Sequence, residues 1–232
     1  MTKKYKYPRT PHLPTSPGYT PDDMIGREFV FDDVVVSHKL DGESTGIGRD
    51  YTHARSLDSR HHPSRTWVKA LQAQIGHEIP EGWRLYGENM FALHQIYYRK
   101  LHTYFFLYGV YNSDNVCISW DDTKEIAALL GLTTVPVFYE GPYNLKKIHE
   151  AWEQSTPFPT FLRKDTGLIN PVFPDDFVPT HSEGYVIRAK EAFHYDNFAS
   201  YVAKYVRLDF KENLERTNDH WATKPVYPNS LD

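Results

Sequence analysis

Lys39-Leu40-Asp41-Gly42 follows an apolar, β-branched run, Val34-Val35-Val36, at what reads as the end of a strand. A lysine there can be partly desolvated, which lowers its pKa and exposes a neutral amine. The shift matters, because an ordinary lysine costs roughly 4 to 5 kcal/mol to deprotonate at neutral pH. A nucleophilic lysine therefore needs burial or neighbouring cations. Asp41 and Gly42 permit a tight turn that lets a phosphate approach the backbone. Surface hairpins carry the same tetrapeptide by chance, so alone it decides nothing.

An ordered series downstream gives it context. Tyr86-Gly87-Glu88-Asn89 places Glu88 49 residues after Lys39, and Phe105-Phe106-Leu107-Tyr108-Gly109-Val110 places Tyr108 20 residues further on. Glu183-Gly184-Tyr185-Val186-Ile187-Arg188 follows, then Val202-Ala203-Lys204-Tyr205-Val206-Arg207, with Lys204 21 residues after Glu183. In order and spacing the series resembles the covalent nucleotidyltransferase superfamily of ATP-dependent ligases and capping enzymes. Within it the match is closest to ATP-dependent RNA ligases of the phage type, over about Val34 to Arg207.

The resemblance implies an α+β, ATP-grasp-like adenylation domain of antiparallel sheets flanked by helices. It implies that Lys39 attacks the ATP α-phosphate and holds AMP, which passes to an RNA 5′-phosphate before a 3′-hydroxyl displaces it. Mg²⁺ or Mn²⁺ would assist, positioned by Glu183, directly or through water. Glu88 matches the ribose clamp, as a carboxylate accepting two hydroxyl bonds can be. Tyr108 matches the adenine platform, a contact worth about 1–3 kcal/mol. Lys204 matches the α-phosphate contact and would help depress the pKa of Lys39. Asp41 and Gly42 belong to the nucleotide turn. Arg55 matches the arginine on ribose and incoming phosphate, with Arg60 as competitor.

The chain departs from the family in two ways. A second lysine usual in the last motif is replaced by Val206, for which Arg207 or Arg188 is the substitute cation. Only 25 residues follow Arg207, too few for an oligonucleotide-binding barrel. The expectation is a catalytic core with little chain to grip substrate, served by its own loops or by a protein partner. A DNA nick ligase, an mRNA guanylyltransferase and a non-catalytic end-binding module remain the rival readings.

The elements that must position these residues are mostly strands. Alternating and β-branched runs predict strands at 29–36, 42–47, 51–57, 83–86, 104–111, 184–188 and 201–206. Helices are expected from Ser64 to Gly76, with Trp67, Val68, Leu71 and Ile75 on one face, at 122–130, capped by Asp122, and at 145–152. Residues 157–179 read as a proline-bearing loop. Residues 1–27, with five prolines and several cations, read as an extended arm on the domain surface. Residues 28–210 form the adenylation domain and 211–232 a short tail.

Composition narrows the classes. Apolar residues at 40% and charged residues at 24% describe a globular chain. One cysteine, Cys117, excludes a disulfide framework, fits a reducing cytosol and reads as a small buried residue. The lack of a long apolar run predicts neither leader nor membrane span, hence a cytoplasmic protein, or one in the host cytoplasm if viral. A net charge of -4 argues against coating nucleic acid by bulk charge. The cations are instead local: Arg49, Arg55, Arg60, Arg65 and Lys69 fall within 21 residues and read as a phosphate-tracking stretch. His61-His62 reads as a surface turn rather than a metal site.

Overall fold

The computed structural model describes residues 3–26, 28–58, 60–164, 171–217 and 225–232. Strands dominate its first half: β1 (Asp33–Lys39), β2 (Glu43–Gly48), β3 (Tyr51–Ala54), β4 (Arg84–Asn89), β5 (Ile96–Tyr98), β6 (Phe105–Tyr111) and β7 (Val116–Cys117), with α1 (Thr66–Ile75) between β3 and β4. Then come α2 (Trp120–Leu129), β8 (Thr133–Thr134), β9 (Val137–Pro142), α3 (Leu145–Gln154), β10 (Thr160–Arg163) and β11 (Phe177–Pro179). Last are β12 (Gly184–Ala189), β13 (Phe193–His194), α4 (Phe198–Tyr201), β14 (Val202–Val206) and α5 (Leu208–Thr217).

Two antiparallel sheets carry the site. One runs β14-β12-β1-β9; the other runs β13-β7-β6-β4-β2-β3, with β8 added in parallel to β6. Alternation along β1 explains how they stack. Val34 and Val36 face Ile148 and Trp152 of α3, whereas Val35 faces the space between the sheets with Leu40, Met90, Phe106 and Val206. The outer face of the second sheet, with Ile47, Leu85, Phe105 and Leu107, packs on Val68 and Ile75 of α1 and Ala127 of α2. The α+β expectation of antiparallel sheets flanked by helices holds.

Differences lie mostly at edges. The first strand starts later than 29 and runs on through Lys39, so the lysine sits in the ladder, opposite Gly184. Phe29 and Phe31 stack on each other at 4.9 Å instead of pairing. Helix α2 begins earlier than 122: Ser119 Oγ accepts from the Asp122 backbone N–H and is the cap. The stretch 157–179 is not a bare loop, since β10 and β11 form a three-stranded sheet with β5; residues 165–170 of it lie outside the described residues. Residues 225–232 pack back, where Asn229 Nδ2 donates to the Met90 carbonyl at 2.7 Å and Asn229 Oδ1 accepts from the Tyr98 N–H at 2.9 Å.

The arm is extended, as its prolines require, but it is more than a surface strap. Pro11, His12 and Leu13 are buried. Lys204 N–H donates to the Pro11 carbonyl at 2.9 Å, and Leu13 N–H donates to the Lys204 carbonyl at 2.8 Å. Upstream, Tyr86 Oη donates to the Tyr5 carbonyl and Tyr195 Oη to that of Lys6. Arg84 lies against the rings of Tyr5, Tyr111, Tyr195 and Tyr86.

Candidate nucleotide-transfer site

A cavity of about 670 Å³ opens between the sheets. Lys39, Gly42, Arg55, Glu88, Tyr108 and Lys204 all line it, drawn from β1, β4, β6, β14 and the segments after β1 and β3. The turn after Lys39 is what carries the chain from one sheet to the other. Its fixation is a matter of Asp41, whose Oδ2 accepts from the N–H groups of Gln95 and Ile96 at 2.7 and 2.8 Å. Asp41 N–H in turn donates to Tyr98 Oη at 2.9 Å. Gly42 is required by close approach: a Cβ there would lie 2.7 Å from the Asn89 carbonyl oxygen. Its N–H donates to Glu88 Oε1 at 3.2 Å, so the turn and the carboxylate hold each other.

Tyr108 sits at the irregularity where β6 shifts register against Tyr86 and Gly87 of β4. The half-buried ring shares a 2.6 Å hydrogen bond between its hydroxyl and Ser44 Oγ. Its carbonyl accepts from Arg188 Nη1, whose Nη2 donates to the Ile118 carbonyl at 2.9 Å. Val186 and Val202 supply apolar lining nearby.

Glu183 stands just before β12, and its Oε1 lies 2.6 Å from Lys39 Nζ. This pair corrects one expectation. Burial pulls the Lys39 pKa down, but the Glu183 carboxylate outweighs it and the pKa is raised, so the amine is protonated. The depressed lysine is Lys204, lowered to about 8 by burial and then by the charge of Lys39. Burial pushes Glu88 up to about 8 against the pull of Lys39, and raises Glu183 and Asp41 as well. The centre is thus rich in carboxylates that are short of compensating charge.

Such hard oxygens fit a divalent cation. Among the described residues, no group of three His, Cys, Asp or Glu side chains converges to hold one. Mg²⁺ is usually held by one or two carboxylates with phosphate oxygens and water, so Glu183 would hold it only as part of such a set.

Other expectations sort by distance. Arg55 lines the cavity; Arg60 is exposed and does not. Of the candidates to replace the missing lysine, Arg188 is held at the Tyr108 end, and Arg207 donates to Ser182 O, Thr180 Oγ1 and His181 O outside the cavity lining. Within the basic stretch, Arg49 donates to the Ile79 carbonyl and Lys69 pairs with His61. His62 Nδ1 accepts from Ser64 N–H at a turn. Cys117 is buried, and burial pushes its thiol up, away from reactivity.

Sequence reasoning counted Arg65 in the phosphate-tracking stretch but missed its pairing with Glu43, and it missed the arm residues on the cavity wall. Arg65 grips Glu43 with two hydrogen bonds, Nε to Oε2 at 2.7 Å and Nη2 to Oε1 at 2.5 Å, and both residues line the cavity. Tyr7, Pro8, Arg9 and Thr10 of the arm line it too. The signal for the first was the position of Glu43 directly after the lysine turn; for the second, cations interleaved with prolines.

Lys39, Glu88, Tyr108 and Lys204 thus surround one cavity between two antiparallel sheets flanked by helices. The chain belongs to the RNA ligase family, whose model matches residues 32–206. Among solved structures, it is similar to an archaeal ATP-dependent RNA ligase, at 14% identity and a TM-score of 0.50, covering 87% of this chain and 48% of that one. It is also similar to a putative ATP-dependent DNA ligase from Aquifex aeolicus, at 14% identity and a TM-score of 0.52, covering 93% of this chain and 53% of that one. The likeness is one of fold, and the chain spans about half the length of each. No curated protein sequence matches it.

Proposed function

We propose that the protein is an ATP-dependent RNA ligase that works through a lysyl-AMP intermediate on Lys39. The observation that carries this is the convergence of Lys39, Glu88, Tyr108 and Lys204 on one cavity, with Glu183 paired to Lys39 behind it, in a chain of this family. The base packs on Tyr108, Glu88 accepts from ribose hydroxyls, and the triphosphate extends past Lys39 toward Lys204. The Lys39 ammonium first loses a proton, and Glu183 Oε1 is the acceptor within reach. Nζ then forms its bond to the α-phosphorus as the bridge to the β-phosphate breaks and pyrophosphate leaves. Lys204 neutralises the charge that develops on the α-phosphate. A divalent metal, when bound, would offset charge on the non-bridging oxygens. AMP passes next to an RNA 5′-phosphate, and a 3′-hydroxyl expels it to seal the strand.

The test is labelling with α-³²P ATP in Mg²⁺ or Mn²⁺. Label is expected on the wild type and absent from Lys39→Ala; covalent AMP retained by Lys39→Ala would sink the mechanism. GTP in place of ATP addresses a guanylyltransferase. Side-by-side 5′-phosphorylated RNA and DNA strands, nicked and single, address substrate. End binding without adenylation at any divalent metal would leave a non-catalytic module instead.

A further inference from the structure

The chain lacks a second cation beside Lys204 on its own strand, because Val206 is buried in the inter-sheet core. Triphosphate carries more negative charge than Lys39 and Lys204 can offset, and Lys39 is already paired with Glu183. Among the other cations that line the cavity, Arg65 is committed to Glu43 and Arg188 to backbone carbonyls near Tyr108, while Arg55 is the one matched to ribose and the incoming phosphate. Arg9 is different. It comes from the arm, lines the cavity and keeps its side chain half exposed. Among the described residues, one of its five donors is used: Nη2 donates to Asp23 Oδ1 at 3.0 Å.

Asp23 makes this placement specific. The same Oδ1 lies 3.9 Å from Lys204 Nζ, so the arginine and the lysine meet across one carboxylate oxygen. Its other oxygen, Oδ2, accepts from Thr20 N–H and Thr20 Oγ1, both at 2.9 Å, and lies 3.5 Å from His12 Nε2. The backbone bonds of Pro11 and Leu13 to Lys204 fix the arm's register two residues beyond Arg9.

We propose that Arg9 grips the β- and γ-phosphates of ATP, completing from the arm the triphosphate end of the pocket, with Asp23 orienting it beside Lys204. This rests on the reading of the cavity as an ATP site. Arg9 holds the leaving pyrophosphate, so it acts in lysine adenylation and is idle once AMP is on the lysine or on the strand.

The test compares binding of α,β-methylene ATP, which cannot transfer AMP, with binding of AMP, by calorimetry in Mg²⁺. Arg9→Ala and the longer, neutral Arg9→Gln are expected to lose about tenfold affinity for the analogue, roughly one charge-assisted contact. AMP affinity stays within about twofold, and joining of a pre-adenylated RNA strand is unchanged. Analogue binding at the wild-type level, equal weakening of analogue and AMP, or no analogue binding by the wild type would each overturn the assignment. Loss confined to 5′-phosphorylated over 5′-hydroxyl RNA would also overturn it, placing Arg9 on the acceptor strand. A wild type that binds the analogue but never labels Lys39 fails the ligase reading while leaving the Arg9 measurement intact.

Discussion

Glu88 shows how a residue can be poorly placed for stability and well placed for chemistry. Its pKa is raised to about 8 in the folded protein from about 4.5, so its contribution to stability is present below the unfolded value. That contribution fades as pH rises from there through about 8. Glu88→Gln removes the penalty; the nucleotide-free protein is expected to melt roughly 3 °C higher at pH 8, with little change at pH 4. Nucleotide affinity falls in the same variant. Equal melting temperatures at pH 8 would refute the electrostatic reading. Lys204, lowered to about 8, is cationic below that pH and loses its charge above it, so nucleotide affinity should decline on the alkaline side. Lys204→Arg, which stays charged, is expected to flatten that decline; an unchanged profile would assign it to another group. Lys39 itself was singled out in sequence, because an ordered series of short motifs follows it. Its protonation was not legible there, because Glu183 reaches it only through the pairing of β1 with β12.

At the scale of elements, the strands owe their positions to a few contacts the sequence hides. His38 and Ser182 precede Lys39 and Glu183, and Ser182 Oγ bonds His38 Nδ1 at 2.9 Å while accepting from Trp152 Nε1 at 3.0 Å. Helix α3 thereby ties the residues that precede Lys39 and Glu183 to one frame. Ser182→Ala is expected to lower kcat for adenylation with KM nearly unchanged, at about 1–3 kcal/mol of stability; a pure KM effect would show that the lock does not align them. Gly184 lies between Glu183 and Tyr185 with φ of +157°, and a Cβ there would meet the Tyr205 carbonyl oxygen at 1.9 Å. Gly184→Ala should push β14 away and carry Lys204 with it, abolishing labelling in a protein that still folds around the second sheet. Long apolar strands and α1 were readable from their periodicity. Strand β9, an edge strand with no buried residue, and the short strands β5, β7 and β13 were not, since the first has no inward face to pattern and two or three residues show no period.

At the scale of the molecule, charge is divided by location. The net value of -4 coexists with Arg55 on the cavity wall and with Arg60 and Lys69 outside it. If these three cations track a strand, the affinity for single-stranded RNA should fall with salt at a log–log slope of about -2. A slope near zero would remove them from the path. The arm belongs to this scale as well, because its proline spacing announced an extended conformation but not its neighbour. That neighbour was hidden because the contact is made by backbone groups and joins opposite ends of the chain. Among the described residues, strand β14 has β12 on one side and the arm on the other. Prolines, which offer no N–H, let the arm satisfy part of that border without presenting a full ladder of its own. The arm thus covers an edge that would otherwise be open to pairing. Removing residues 1–22 would bare the N–H and C=O groups of Lys204 and Val206 as a template for another chain's strand. Light scattering should then rise with protein concentration in the shortened protein and stay flat in the full one.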